Sequence, residues 1–91
     1  MANEDFYTRL HQKLSAAESW PAVYMFKFIL PNDNRKIALL RQLFDEEARF
    51  FEKASRKGSY ISVTVKTVML NPGEVIAVYK KVADIEGVIM F

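Results

Sequence analysis

The clearest periodicity in the chain follows the turn Ser55-Arg56-Lys57-Gly58-Ser59, where polar and apolar residues alternate strictly as far as Lys66. Ile61, Val63 and Val65 share one side of an extended chain, and Ser62, Thr64 and Lys66 share the other. The pattern predicts the second arm of a β-hairpin, with Gly58 supplying the positive φ that a tight turn often needs. A second alternating run covers Val23 to Leu30. Tyr24, Phe26, Phe28 and Leu30 form its apolar side, and Met25, Lys27 and Ile29 form a mixed one. Phe50 and Phe51 mark a strand that meets the hairpin from the other arm, but two consecutive phenylalanines leave its register open.

Helical spacing fills the intervals. Phe6, Leu10, Leu14 and Ala17 make the apolar stripe of an amphipathic helix from Asn3 or Asp5 to about Glu18, with Arg9, Gln12 and Lys13 opposite; Trp20-Pro21 closes it. Asn32 or Asp33 caps a second helix that runs to about Phe44 or Asp45 and buries Ile37, Leu40 and Phe44. Asn71-Pro72-Gly73-Glu74 is a strong helix start, with a side-chain cap, proline at the first helical position and an acid placed to reach back. Val75, Val78, Tyr79 and Val82 continue that helix, and a short last strand follows from Val88 to Phe91. After the leading helix the order is strand, helix, strand, strand, helix, strand. This predicts an α+β, ferredoxin-like βαββαβ sandwich, a four-stranded antiparallel sheet with two helices on one face, preceded by an extra N-terminal helix. Residues 1–19 are assigned to that helix and residues 20–91 to the sandwich.

Composition narrows the function classes more than it selects one. A chain of 91 residues supports a single core, and a hydrophobic fraction of 51% with seven Phe supplies it. Thirteen basic against eleven acidic residues leave a net charge of only +2, a weak pull toward nucleic acid. The absence of cysteine excludes disulfides, thiolate nucleophiles and Cys-based metal sites, and suits a reducing interior. No apolar run reaches the roughly 18–20 residues of a membrane span, and Met1-Ala2-Asn3-Glu4-Asp5 is acidic where a secretory signal is basic. The expected location is the cytoplasm.

The candidate chemistry is sparse. His11 is the single histidine, so neither a His-based zinc site nor a Ser/His/Asp triad has its parts. Asp45-Glu46-Glu47 reads as solvated linker charge, and the helix start at Asn71 is already capped. No enzyme, metal or cofactor is expected. RNA-recognition modules share the predicted topology, yet their third-strand signature needs aromatics where this chain has Ser59, Ile61 and Thr64 after Lys57-Gly58, so nucleic acid is disfavoured. Regulatory domains of the ACT type, which bind amino acids, typically carry a glycine after the first strand; this chain has Leu30-Pro31-Asn32-Asp33-Asn34.

Lys27, the run Ser55/Lys57-Gly58/Tyr60/Ser62-Val63 and the Asp84-Ile85 ending resemble the YbeD-like family of small bacterial proteins of unknown function, over roughly residues 20 to 91. The resemblance implies a ferredoxin-like fold with a likeness to small-molecule-binding regulatory domains, and it brings no established catalytic residues. The longer N-terminal helix and the Phe-rich second strand depart from it.

These readings lead to a non-enzymatic interaction or regulatory module that works through the open sheet face and the hairpin. Its candidate binding residues are Lys27, Ser55, Lys57, Tyr60, Ser62 and Lys66, with Gly58 serving turn geometry. The expected partner is another protein or a second copy of the chain; a small-molecule ligand of an ACT-like site is the alternative. The competing reading is that the leading helix or plain solvent covers the sheet.

Overall fold

The two alternating runs become the central strands of the sheet in a computed structural model, which describes residues 4–17 and 19–91. β1 (Ala22–Pro31) and β3 (Tyr60–Met69) pair antiparallel along their whole length, from Ala22 opposite Met69 to Pro31 opposite Tyr60. β2 (Arg49–Ala54) flanks β3, and β4 (Ile89–Met90) flanks β1, giving the order β2-β3-β1-β4 with every pair antiparallel. Two helices, α2 (Asn34–Gln42) and α3 (Pro72–Val82), make the crossovers. The arrangement is the ferredoxin-like sandwich, and α1 (Glu4–Ala17) precedes it.

Apolar burial between the sheet and the helices holds the layers together. Phe26, Phe28 and Leu30 of β1 and Val63 and Val65 of β3 are wholly buried, against Leu40 of α2 and Val75 and Val82 of α3. Aromatic rings fill the centre, with Tyr79 and Phe44 meeting Phe26 edge to face at centroid distances of 5.3 and 5.4 Å. The capping signals act as their residue types predict. Asp33 Oδ1 accepts from the amides of Arg35 and Lys36, and Asn71 Oδ1 accepts from that of Glu74 at 2.9 Å. Glu74 reaches back to accept from the Leu70 amide, one residue before the cap.

Three sequence expectations need correction. In α1 the buried stripe begins at Tyr7, which is 6% exposed, whereas Phe6 is 48% exposed and Ala17 also faces solvent. The cause is α3: α1 packs on it, and Lys80 Nζ lies 5.2 Å from the centre of the Tyr7 ring, so the docking seam runs Tyr7, Leu10, Leu14. Asn3 and Glu18, the outer bounds read from the sequence, lie outside the described residues. α2 stops at Gln42 rather than Phe44 or Asp45, because the Leu43 amide already turns to Leu40 and Arg41 carbonyls; Phe44 still packs against the core from the following turn. The last strand covers Ile89 and Met90, short of the expected Val88 to Phe91, although the Phe91 amide still donates to the Lys27 carbonyl at 3.0 Å.

Candidate functional site

Docking α1 on α3 settles what lies over the sheet. The described helices all stand on one side, and the outer face of β2, β3, β1 and β4 carries none of the described elements.

The register sets this face out in rows. Ile89, Ile29, Ser62 and Lys53 cross the sheet in one; Lys27, Thr64 and Phe51 form the next; Met25, Lys66 and Arg49 form the third; Val23 and Val68 form the last. Its centre is therefore apolar and basic together. Phe51 is 54% exposed and Val23 66%, with Met25, Val68 and Ile89 similarly open, while Lys66 Nζ stands 5.7 Å from the centre of the Phe51 ring. Four cations, Lys27, Arg49, Lys53 and Lys66, occupy outward strand positions. The one acid within the four strands, Glu52, has the opposite parity and meets Arg41 of α2 at 2.7 Å. Acids approach at one corner, where Asp45 and Glu47 line a hollow of about 350 Å³ with Val23, Arg49, Lys66 and Val68.

The six residues singled out from the sequence divide among several places. Ser55, Tyr60 and Ser62 come together at a hollow of about 450 Å³ beside the hairpin, joined by Ile29, Lys53 and Arg56. Both serines are held by backbone. The Ser55 Oγ accepts from the Tyr60 amide at 3.1 Å, the Ser55 amide donates to the Tyr60 carbonyl at 2.7 Å, and Ser62 Oγ donates to the Lys53 carbonyl. Ser55 thus closes the hairpin, with Gly58 at φ 77° turning the chain. Lys27 lies on the open face opposite Thr64, Lys66 lines the Asp45/Glu47 corner, and Lys57 stands on the exposed turn, outside the lining of the hairpin hollow. Sequence reasoning missed Arg49, Phe51 and Lys53. Their signal is the alternation Arg-x-Phe-x-Lys, readable only once Phe50 is known to point inward opposite Val65.

Two other places carry polar groups. His11 and Ser15 meet on the exposed side of α1, where Ser15 Oγ donates to the His11 carbonyl at 2.9 Å. A smaller cavity of about 240 Å³ lies among Phe6, Leu10, Tyr24, Tyr79, Met90 and Phe91. At its polar end the Tyr79 hydroxyl donates to the Phe91 carbonyl at 3.3 Å and meets the Tyr24 hydroxyl at 3.1 Å. Burial, reinforced by Tyr24, pushes the Tyr79 phenol well above its ordinary range. Among the described residues no group of three His, Asp or Glu side chains is placed to hold a metal, and no helix is long and apolar enough to cross a membrane.

The family model for a protein of unknown function, DUF493, matches residues 15–91, from the last turn of α1 through the whole sandwich. The chain belongs to the DUF493 family. The YbeD-like resemblance read from the hairpin run fits this family. Comparison with curated proteins and with solved structures found no match in either. The DUF493 match takes in every strand of the open face and leaves most of α1 outside it.

Proposed function

We propose that this DUF493 protein is a non-enzymatic regulatory module of the cytoplasm that binds a partner protein through the outer face of its sheet. One observation carries the reading: Val23, Met25, Phe51, Val68 and Ile89 are each more than half exposed, and the register gathers them on one face. Open apolar side chains so collected, interrupted by long cations, have the composition of a surface meant to lose its water against another protein. The lack of cysteine supports the cytoplasmic location.

The test is Met25→Asp with Phe51→Asp, two exposed positions at which a carboxylate leaves the fold intact by circular dichroism. A photo-crosslinker at Thr64, between them, captures partners from a lysate of the source cells. Loss of the crosslinked species in the double variant is the expected result, and the same species at the same yield would overturn the reading.

A second reading, an ACT-like small-molecule site, is favoured by the hairpin hollow, whose Lys53, Arg56 and Tyr60 suit a small anion. A thermal-shift panel of amino acids and acidic metabolites tests it, since a ligand of the native state raises the melting temperature. A shift that Lys53→Ala with Arg56→Ala abolishes is the expected sign, and no shift from any compound removes it.

A further inference from the structure

We infer that the partner taken by the sheet face is an acidic amphipathic segment of another protein. This rests on the outer face being the working surface and adds the chemistry of what it takes. The chain as a whole is nearly balanced, with eleven acids against thirteen bases, yet its outward strand positions hold four cations and no acid. The segregation is therefore local. Lys27, Lys66 and Lys53 sit in three successive rows, and each row also holds an exposed or half-buried apolar residue: Phe51, Met25 and Ile29. A partner that matches this face presents an apolar stripe flanked by carboxylates. An amphipathic segment does so with a few Leu, Ile or Phe residues for the Met25, Ile29 and Phe51 side chains and with Asp or Glu for the ammonium groups.

The same count argues against the other occupants. A second copy laid face to face would set four cations against four, with the Asp45 and Glu47 carboxylates at one corner too few to neutralise both sets. Nucleic acid supplies the negative charge, but base stacking needs a ring platform, and the outward positions of the two central strands are Val23, Met25, Lys27, Ile29, Ser62, Thr64, Lys66 and Val68, with Tyr60 opposite Pro31 at the end of the strand pair, outside the Ile29/Ser62 row. Phe51, on the edge strand, is the single ring within the rows. Asp45 and Glu47 limit the footprint from one side, since an acidic segment is repelled from the Arg49 corner and steered toward Lys27 and Lys53.

The experiment uses the full chain and fluorescence anisotropy with a labelled peptide of about 18 residues, long enough to span roughly 27 Å as a helix. One peptide carries a leucine stripe flanked by glutamates; controls have the same composition scrambled, or lysine for glutamate, and an oligouridine probes nucleic acid. The glutamate peptide is expected to bind and to weaken about tenfold or more as salt screens the lysines. Lys27→Glu with Lys66→Glu is expected to weaken it at least about tenfold, with amide shifts at Lys27, Phe51, Thr64 and Lys66 in the wild type. Failure of the glutamate peptide to bind, equal binding by the lysine peptide or the charge-reversed protein, tighter binding of oligouridine, or a dimer that Met25→Asp with Phe51→Asp disperses overturns the inference. If the lysine peptide binds and Met25→Asp with Phe51→Asp abolishes it, the acidic chemistry fails while the sheet face stands. Shifts confined to the helix layer overturn both.

Discussion

Replacing Tyr79 by phenylalanine deletes one oxygen from a side chain that is 5% exposed, and its effect depends on pH in a way that few core substitutions do. The hydroxyl donates to the Phe91 carbonyl at 3.3 Å and shares a second hydrogen bond with the Tyr24 hydroxyl, 3.1 Å away. Near neutral pH, loss of the pair costs about 1 kcal/mol, the net worth of a hydrogen bond whose partners regain some water. At alkaline pH a second effect opposes this one. The unfolded phenol ionises at its ordinary value of 10.0, whereas the folded phenol, its pKa raised by burial, keeps its proton. Because the folded state binds the proton more tightly, the contribution is complete below pH 10 and is lost as the pH rises above it. The loss is about 0.4 kcal/mol at about pH 10 and about 1.4 kcal/mol at about pH 11. Phenylalanine has no such loss. Urea unfolding of both proteins from neutral to alkaline pH is therefore expected to show wild type more stable by about 1 kcal/mol at pH ~7, with the gap closing near pH ~10.6 and reversing beyond. A gap that stays constant across the range refutes the reasoning, since Tyr79 would then titrate alike in both states.

Two further expectations concern the backbone. Gly58 and Gly87 both have positive φ, at 77° and 85°, but a Cβ at Gly58 meets nothing within 4 Å, whereas one at Gly87 lies 3.1 Å from the Pro31 ring. Alanine at Gly58 is expected to cost about 1–2 kcal/mol from conformation alone, and alanine at Gly87 measurably more in the same thermal melt; the reverse order would refute the assignment. Asn71→Ala removes the cap of α3 and is expected to cost about 1 kcal/mol, or roughly 4–8 °C in melting temperature, with Asn71→Ser restoring most of it.

The sequence reveals most where burial is one-sided. Tyr24, Phe26, Phe28 and Leu30 alternate with Met25, Lys27 and Ile29, and a slip of one residue would place every ring in water, so pattern alone determines which side of β1 faces the core. Phe6 and Tyr7 are different. Both fit a helical stripe with Leu10 and Leu14, and only the α3 side chains that receive α1 decide between them. Phe50 and Phe51 have the same ambiguity in a strand, and it is resolved by pairing with Val65 and Thr64. That ambiguity also hid half of the candidate site. Lys27, Ser62 and Lys66 follow from the two clear alternations, but Arg49 and Lys53 acquire a side of the sheet only from a partner strand. Ser55 shows the converse limit: its residue type suggested a polar contact for a ligand, and its oxygen is committed to the hairpin backbone.

The placement of α1 on α3 gives the molecule one layered side and one open side. Tyr7, Leu10 and Leu14 of α1 pack against α3 and the inward-facing Tyr24 and Met90, on the side of the sheet that bears the helices, while Arg9, Gln12 and Lys13 are exposed. Since the chain has no cysteine, one thiol introduced at Lys13 is a unique attachment point. A dye or surface tether fixed there, on a helix that packs on α3, leaves the outer face of the strands unobstructed.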